Sequence, residues 1–195
     1  MEMPSSYKSN SNINFEKVFE MLNNELSKNN ESLMLVCAGG YVMQLHGYRA
    51  TADVYAFFKS NAAVAEAIRK VGNSCGLNKS DELWLNNSIA RLNKEPSLKY
   101  YKQVHKYSNL EVHAVDINYL IGMKYESARE QDLKDISAVL KREDRREPLE
   151  LLSLLVKMGF NIDISLLLET FEVAHGMEWL AQFYKENESE LIKYF

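Results

Sequence analysis

The stretch "CAGGYVMQLHGYRATADVYAFF", Cys37 to Phe58, holds the residues of this chain best suited to chemistry. Gly39-Gly40 closes an apolar run and precedes a short helical segment. Glycines at such a turn let a ligand approach the backbone, because no Cβ blocks it, and a helix N-terminus favours anions. Gly39 and Gly40 are therefore expected to hold phosphate, with Arg49 at the mouth of the turn; a tight turn that only glycine can make accounts for them equally well. Asp53 opens the next segment, with Tyr55 two places on. Residues i and i+2 of a strand face the same side, so two carboxylates at that spacing, with a third from a neighbouring strand, would hold Mg²⁺. Tyr55 breaks the set, since a phenol is neutral near pH 7 and bulkier than a carboxylate. Glu111, in "NLEVHAV", is the acid expected to supply the third ligand, and Asp116 at the end of that segment is the second choice.

The elements that must position these residues are legible in the periodicity. Ile13 to Lys28 has apolar residues at 15, 18, 19, 22 and 26, the spacing of an amphipathic helix. Leu33 to Ala38 is a continuous apolar run, as in a buried strand. Tyr41 to His46 predicts a two-turn helix ended by Gly47. Asp53 to Phe58 returns as a strand, and Ser60 or Asn61 caps a helix reaching about Val71. "DELWLNNSIARLNKEPSL" predicts a short helix and a loop closed by Pro96. "KYYKQVHKYSNLEVHAVD" predicts a hairpin turning at Ser108-Asn109, with Glu111 and His113 on one face. From Asn118 onward the pattern is helical, with Gly159 and Gly176 as stops.

With 195 residues and a formal charge of −4, the chain can bury a sizeable core and shows no strongly basic nucleic-acid surface. Cys37 and Cys75 form no CxxC pair, so two reduced thiols are expected. No apolar run approaches the ~18 residues of a membrane span, and the polar start "MEMPSSYKSNSN" has no hydrophobic core of a signal peptide. The expectation is a cytoplasmic protein with no membrane partner.

Gly-Gly at a strand end, a short helix, then Arg49-x-Thr51-x-Asp53-hydrophobic-x resembles the active-site hairpin of the nucleotidyltransferase superfamily. More narrowly it is similar to bacterial AbiEii-type and DUF6036-like nucleotidyltransferase-like (toxin) proteins. "MKYESAREQDLKDI" supports this, matching Lys-x-x-x-Ala-Arg-x-x-Asp-x-x-Asp-Ile on the helix after the sheet in that group. The two segments span about Leu33 to Val139. The resemblance implies an α+β fold: a small mixed sheet flanked by helices, with a helical C-terminal part. Composition and pattern divide the chain into a flexible tail (1–12), a nucleotidyltransferase-like domain (13–117) and a helical part docked on it (118–195).

The resemblance further implies Mg²⁺-dependent transfer of a nucleotide from a nucleoside triphosphate to an RNA, protein or small-molecule hydroxyl. Asp53 and Glu111 would hold metal, and Gly39, Gly40, Arg49 and Thr51 would line the triphosphate. Lys124 would reach the phosphates, while Arg129, Asp132 and Asp135 tie the helix to the sheet or shape the pocket. A solvated charged face is the competing account of that helix. A toxin–antitoxin or phage-defence role, with an antitoxin protein as partner, follows from resemblance alone. The family pattern is Asp-x-Asp, and Tyr55 stands at its second acid. Three readings remain open: a lineage that lost catalysis, an engineered or selected silencing change, or a one-metal site held by Asp53 and Glu111. The alternative function is a catalytically silent module binding a nucleotide, a nucleic acid or a protein.

Weaker candidates complete the reading. His46 suits a helix cap, and His113 shares a face with Glu111. "KREDRRE" (141–147) is a mixed-sign run, most simply solvated, whose basic residues could touch RNA. Trp84 and Trp179 are expected in the core.

Overall fold

A computed structural model describes residues 13–80, 82–91 and 93–194. The expected tail (1–12) lies outside the described residues. The chain forms two compact units, one reaching Val115 and one starting at Asp116. The fold is α+β, as expected, with a mixed five-stranded sheet and a helical C-terminal part.

In the first unit, helix α1 (Phe15–Lys28) starts where Asn14 accepts the Lys17 N–H at 3.2 Å. Its stripe of Phe15, Val18, Phe19, Leu22 and Leu26 is buried, as the spacing predicts. Strand β1 (Leu33–Ala38) leads through Gly39 into the six-residue helix α2 (Gly40–Leu45). Strand β2 (Val54–Phe57) precedes helix α3 (Ala62–Cys75), capped by Asn61 and closed by Gly76 in the left-handed region. The stretch expected to be a short helix and loop instead gives a two-residue strand β3 (Leu85–Asn86) and a 3₁₀ turn (Ser88–Arg91). Strands β4 (Tyr101–Lys106) and β5 (Leu110–Val115) form the predicted hairpin.

The strand order is β3-β2-β1-β5-β4. Central β1 pairs antiparallel with β2 and parallel with β5. Because side chains alternate, Leu33, Leu35, Cys37, Val54, Ala56, Leu110 and Val112 face the core shared with α1 and α3. Trp84 is fully buried there, and its indole N–H donates to the Ile68 carbonyl at 2.9 Å. Tyr55, Phe57, Met34, Glu111 and His113 belong to the opposite face.

The second unit holds helices α4 (Ile117–Ser127), α5 (Glu130–Arg142), α6 (Pro148–Lys157), α7 (Ile164–His175) and α8 (Met177–Leu191). The long helical pattern after Asn118 breaks at Ala128, which sits at φ 49° and separates α4 from α5. Trp179 is half-buried rather than core, stacked between Phe171 and Phe183. Among the described residues no helix is long and apolar enough to cross a membrane.

Candidate functional site

The edge of the sheet where β1 ends and β2 and β3 begin gathers the candidate residues of the first unit. Gly39 sits at φ 62° and ψ −138°, a conformation that L side chains rarely adopt. Gly40 has an ordinary φ but no room: a Cβ there would stand 2.4 Å from Thr51 Oγ1 and 2.8 Å from Thr51 Cβ. The turn thus requires both glycines for reasons internal to the chain. Gln44 ties it down, accepting from the Thr51 N–H at 2.9 Å and donating to the Ile13 carbonyl at 2.8 Å. Arg49 donates to the Ala50 carbonyl and lies beside Gly40.

Asp53 is held in this frame. The Thr51 hydroxyl donates to its Oδ1 at 3.0 Å, and the Lys79 ammonium lies 3.7 Å from its Oδ2. Tyr55 lies close over Gly39, where a Cβ would meet its ring at 3.6 Å. Its hydroxyl donates to Glu82 Oε1 at 3.1 Å, which also accepts from Asn86. Burial, then the negative charges of Asp53 and Glu82, push the Tyr55 phenol above its ordinary value. At neutral pH it is a donor and not a metal ligand. Lys79 bridges the group, 3.7 Å from Glu82 as well as from Asp53. Glu82 escaped the sequence reading because it stands in a loop with no periodicity, ahead of a short strand whose pairing with β2 no local pattern records.

Glu111 is not beside Asp53. It shares the face of Tyr55, but β1 lies between β2 and β5, and Glu111 pairs with Met34 while Tyr55 pairs with Ala38. Four residues along a strand separate the two levels, roughly 13 Å at about 3.3 Å per residue, and Asp53 lies beyond. Mg²⁺ ligands stand about 2 Å from the ion, so Asp53 and Glu111 cannot share one. Glu111 meets Lys106 at 3.2 Å and His113 at 3.6 Å instead, and the Lys106 hydrogen bond holds its carboxyl below the usual range. Asp116 is spent as the cap of α4, accepting the Asn118 N–H at 2.8 Å. Among the described residues no group of three or more His, Cys, Asp or Glu is arranged to hold a metal ion. The described residues do not fit a two-metal centre.

In the second unit Lys124 also has a task other than the one the resemblance implies. Its ammonium lies 2.7 Å from both Asp132 and Asp135, and all three side chains are buried. Asp132 further accepts from Ser127 at 2.8 Å and Arg129 at 2.7 Å, the i,i+3 pair expected from spacing. Asp135 accepts from Gln131 at 2.9 Å. A buried ammonium held by two carboxylates is a clamp between α4 and α5, not a free phosphate ligand. Two basic residues of 141–147 are likewise engaged: Arg145 meets Glu143 and Asn118, and Arg146 meets Asp144. His46 is the C-cap residue of α2, as expected.

The clamp makes a pH prediction. Burial opposes ionisation of Asp132, but hydrogen bonds from Arg129 and Lys124 outweigh it and hold the carboxyl below its ordinary value. A depressed carboxylate contributes stability above the unfolded value of about 3.9 and loses it as pH falls through the lower folded value. Stability should therefore decline below about pH 4, less steeply in Asp132→Asn. Urea unfolding between pH 2 and 7 measures it, and identical acid limbs would remove Asp132 from the account.

A mixed sheet with a strand–glycine–helix turn, an acid opening the antiparallel neighbour and a following helical part are the features that the nucleotidyltransferase resemblance implies. Residues 13–147 match the model of a family described as "Nucleotidyltransferase of unknown function (DUF6036)", and the chain belongs to that family. No curated protein and no solved structure matches the chain.

Proposed function

We propose that this chain is a catalytically silent nucleotidyltransferase-like module that acts by binding rather than by Mg²⁺-dependent nucleotide transfer. The observation that carries this reading is Tyr55, a protonated phenol bonded to Glu82 in the place of the second metal-facing acid. Asp53, its same-face neighbour, is engaged by Thr51 and lies near Lys79. Loss of a direct metal ligand removes most metal-dependent activity, since the ion's position and charge supply the catalysis. The partners consistent with the family are a nucleoside triphosphate, an RNA or a protein such as an antitoxin. An active toxin transferring nucleotides to an RNA, protein or small-molecule hydroxyl is the competing outcome.

The test incubates purified protein with each labelled nucleoside triphosphate, Mg²⁺ and a pool of RNA and protein. Wild type and Asp53→Asn should incorporate equally little label. Tyr55→Asp, which places two carboxylates on one face of β2, should gain a Mg²⁺-dependent rise in melting temperature that wild type lacks. Wild-type transfer that collapses in Asp53→Asn would overturn the silent reading.

A further inference from the structure

The opposite end of the sheet carries a second, different site. Central strand β1 begins there, and Met34, in the middle of a five-stranded sheet, is 45% exposed. Around it lies an open hollow of about 580 Å³, within the ~300–1,000 Å³ typical of small-ligand sites. Met34 and Phe57, which share one face of the sheet, line it together with Leu33, Phe58 and Ala90. Lys59 and Lys94 line it too, with Glu95 as the one acid among its described lining residues. Among the described residues neither lysine has an ion-pair partner. The neighbouring carboxylate of Glu111, level with Met34 on β5, is neutralised by Lys106. The hollow therefore combines apolar residues with a net positive lining.

We infer that this hollow binds a small ligand with a flat aromatic body and a single anionic group, such as an aryl carboxylate or sulfonate. A flat ring lies well against the exposed Met34 side chain, since a thioether surface favours contact with a ring. The lysines meet the anion in charge-assisted hydrogen bonds without first breaking an ion pair. The site is separate from the Gly39–Tyr55 edge and stands whether or not the silent reading does.

The probe is 8-anilinonaphthalene-1-sulfonate, compared with N-phenyl-1-naphthylamine, the same body without the sulfonate. Both are titrated by fluorescence into the full chain at neutral pH. One sulfonate probe per chain is expected, bound at least tenfold more tightly than the uncharged one. Lys59→Glu/Lys94→Glu should weaken the sulfonate at least tenfold and leave the uncharged probe nearly unchanged. Met34→Glu, at a position 45% exposed, should weaken both. Circular dichroism establishes that each variant is folded. Sulfonate binding that none of these substitutions alters would overturn the assignment, as would equal affinity for the two probes.

Discussion

Lys124→Met is expected to lower the free energy of unfolding by about 3–5 kcal/mol, the range for removing one partner of a buried ion pair. The ammonium serves two buried carboxylates, so its loss takes a cation from both; Asp135 keeps the Gln131 amide, and Asp132 keeps Arg129 and Ser127. Arg129 does not replace it, because its side chain is 77% exposed and its attraction is screened by water. Arg129→Ala should accordingly cost no more than about 1 kcal/mol. Adding Asp135→Asn to Lys124→Met should recover part of the loss, since an uncharged amide is less costly to bury than a carboxylate deprived of its Lys124 cation. Urea denaturation of the four proteins, fitted with a common slope, measures these differences. A loss below about 1 kcal/mol in Lys124→Met, together with weakened triphosphate binding, would return the lysine to the ligand.

The clamp also marks where the sequence stops being informative. Arg129 and Asp132 were readable as a pair because three residues on one helix bring side chains together. The Lys124 contacts were not, because they cross the break at Ala128, whose left-handed backbone redirects the chain before α5 begins. The same boundary holds in the sheet. Apolar periodicity and glycine stops predict α1, β1, α2 and the β4–β5 hairpin within a few residues, since each is decided by local pattern. β3 spans only two residues, too few to show alternation. Strand order depends on long-range pairing, which no local pattern records. The expectation that Glu111 would meet Asp53 had the face right and the neighbour wrong. Inserting β1 between β2 and β5, parallel to β5, moves Glu111 to the far end of the sheet.

Gly40→Val is expected to lose at least about 1–3 kcal/mol of stability, the cost of forcing extra carbon into a filled space. A Cβ 2.8 Å from Thr51 Cβ must displace backbone as well as side chain, because Thr51 is anchored through its own N–H to Gln44. Phosphate binding at the glycines predicts something else: near-normal stability with triphosphate affinity abolished, because only the ligand would meet the new side chain. A double-mutant cycle separates the two. Thr51→Gly removes both clashing atoms, so Gly40→Val should cost less on that background, with a coupling of about 0.5–3 kcal/mol. Gly76→Ala provides the contrast, since nothing lies within 4 Å of a Cβ there and its φ of +64° makes the cost torsional. That substitution should cost about 1–2 kcal/mol and show no coupling to Thr51. Coupling at Gly40 alone would mean that the glycine pair, the most ligand-like feature of the sequence, is held in place by Thr51 and the turn. Absence of coupling, with affinity lost in the folded variant, would give the pair to a phosphate and count against a purely structural origin.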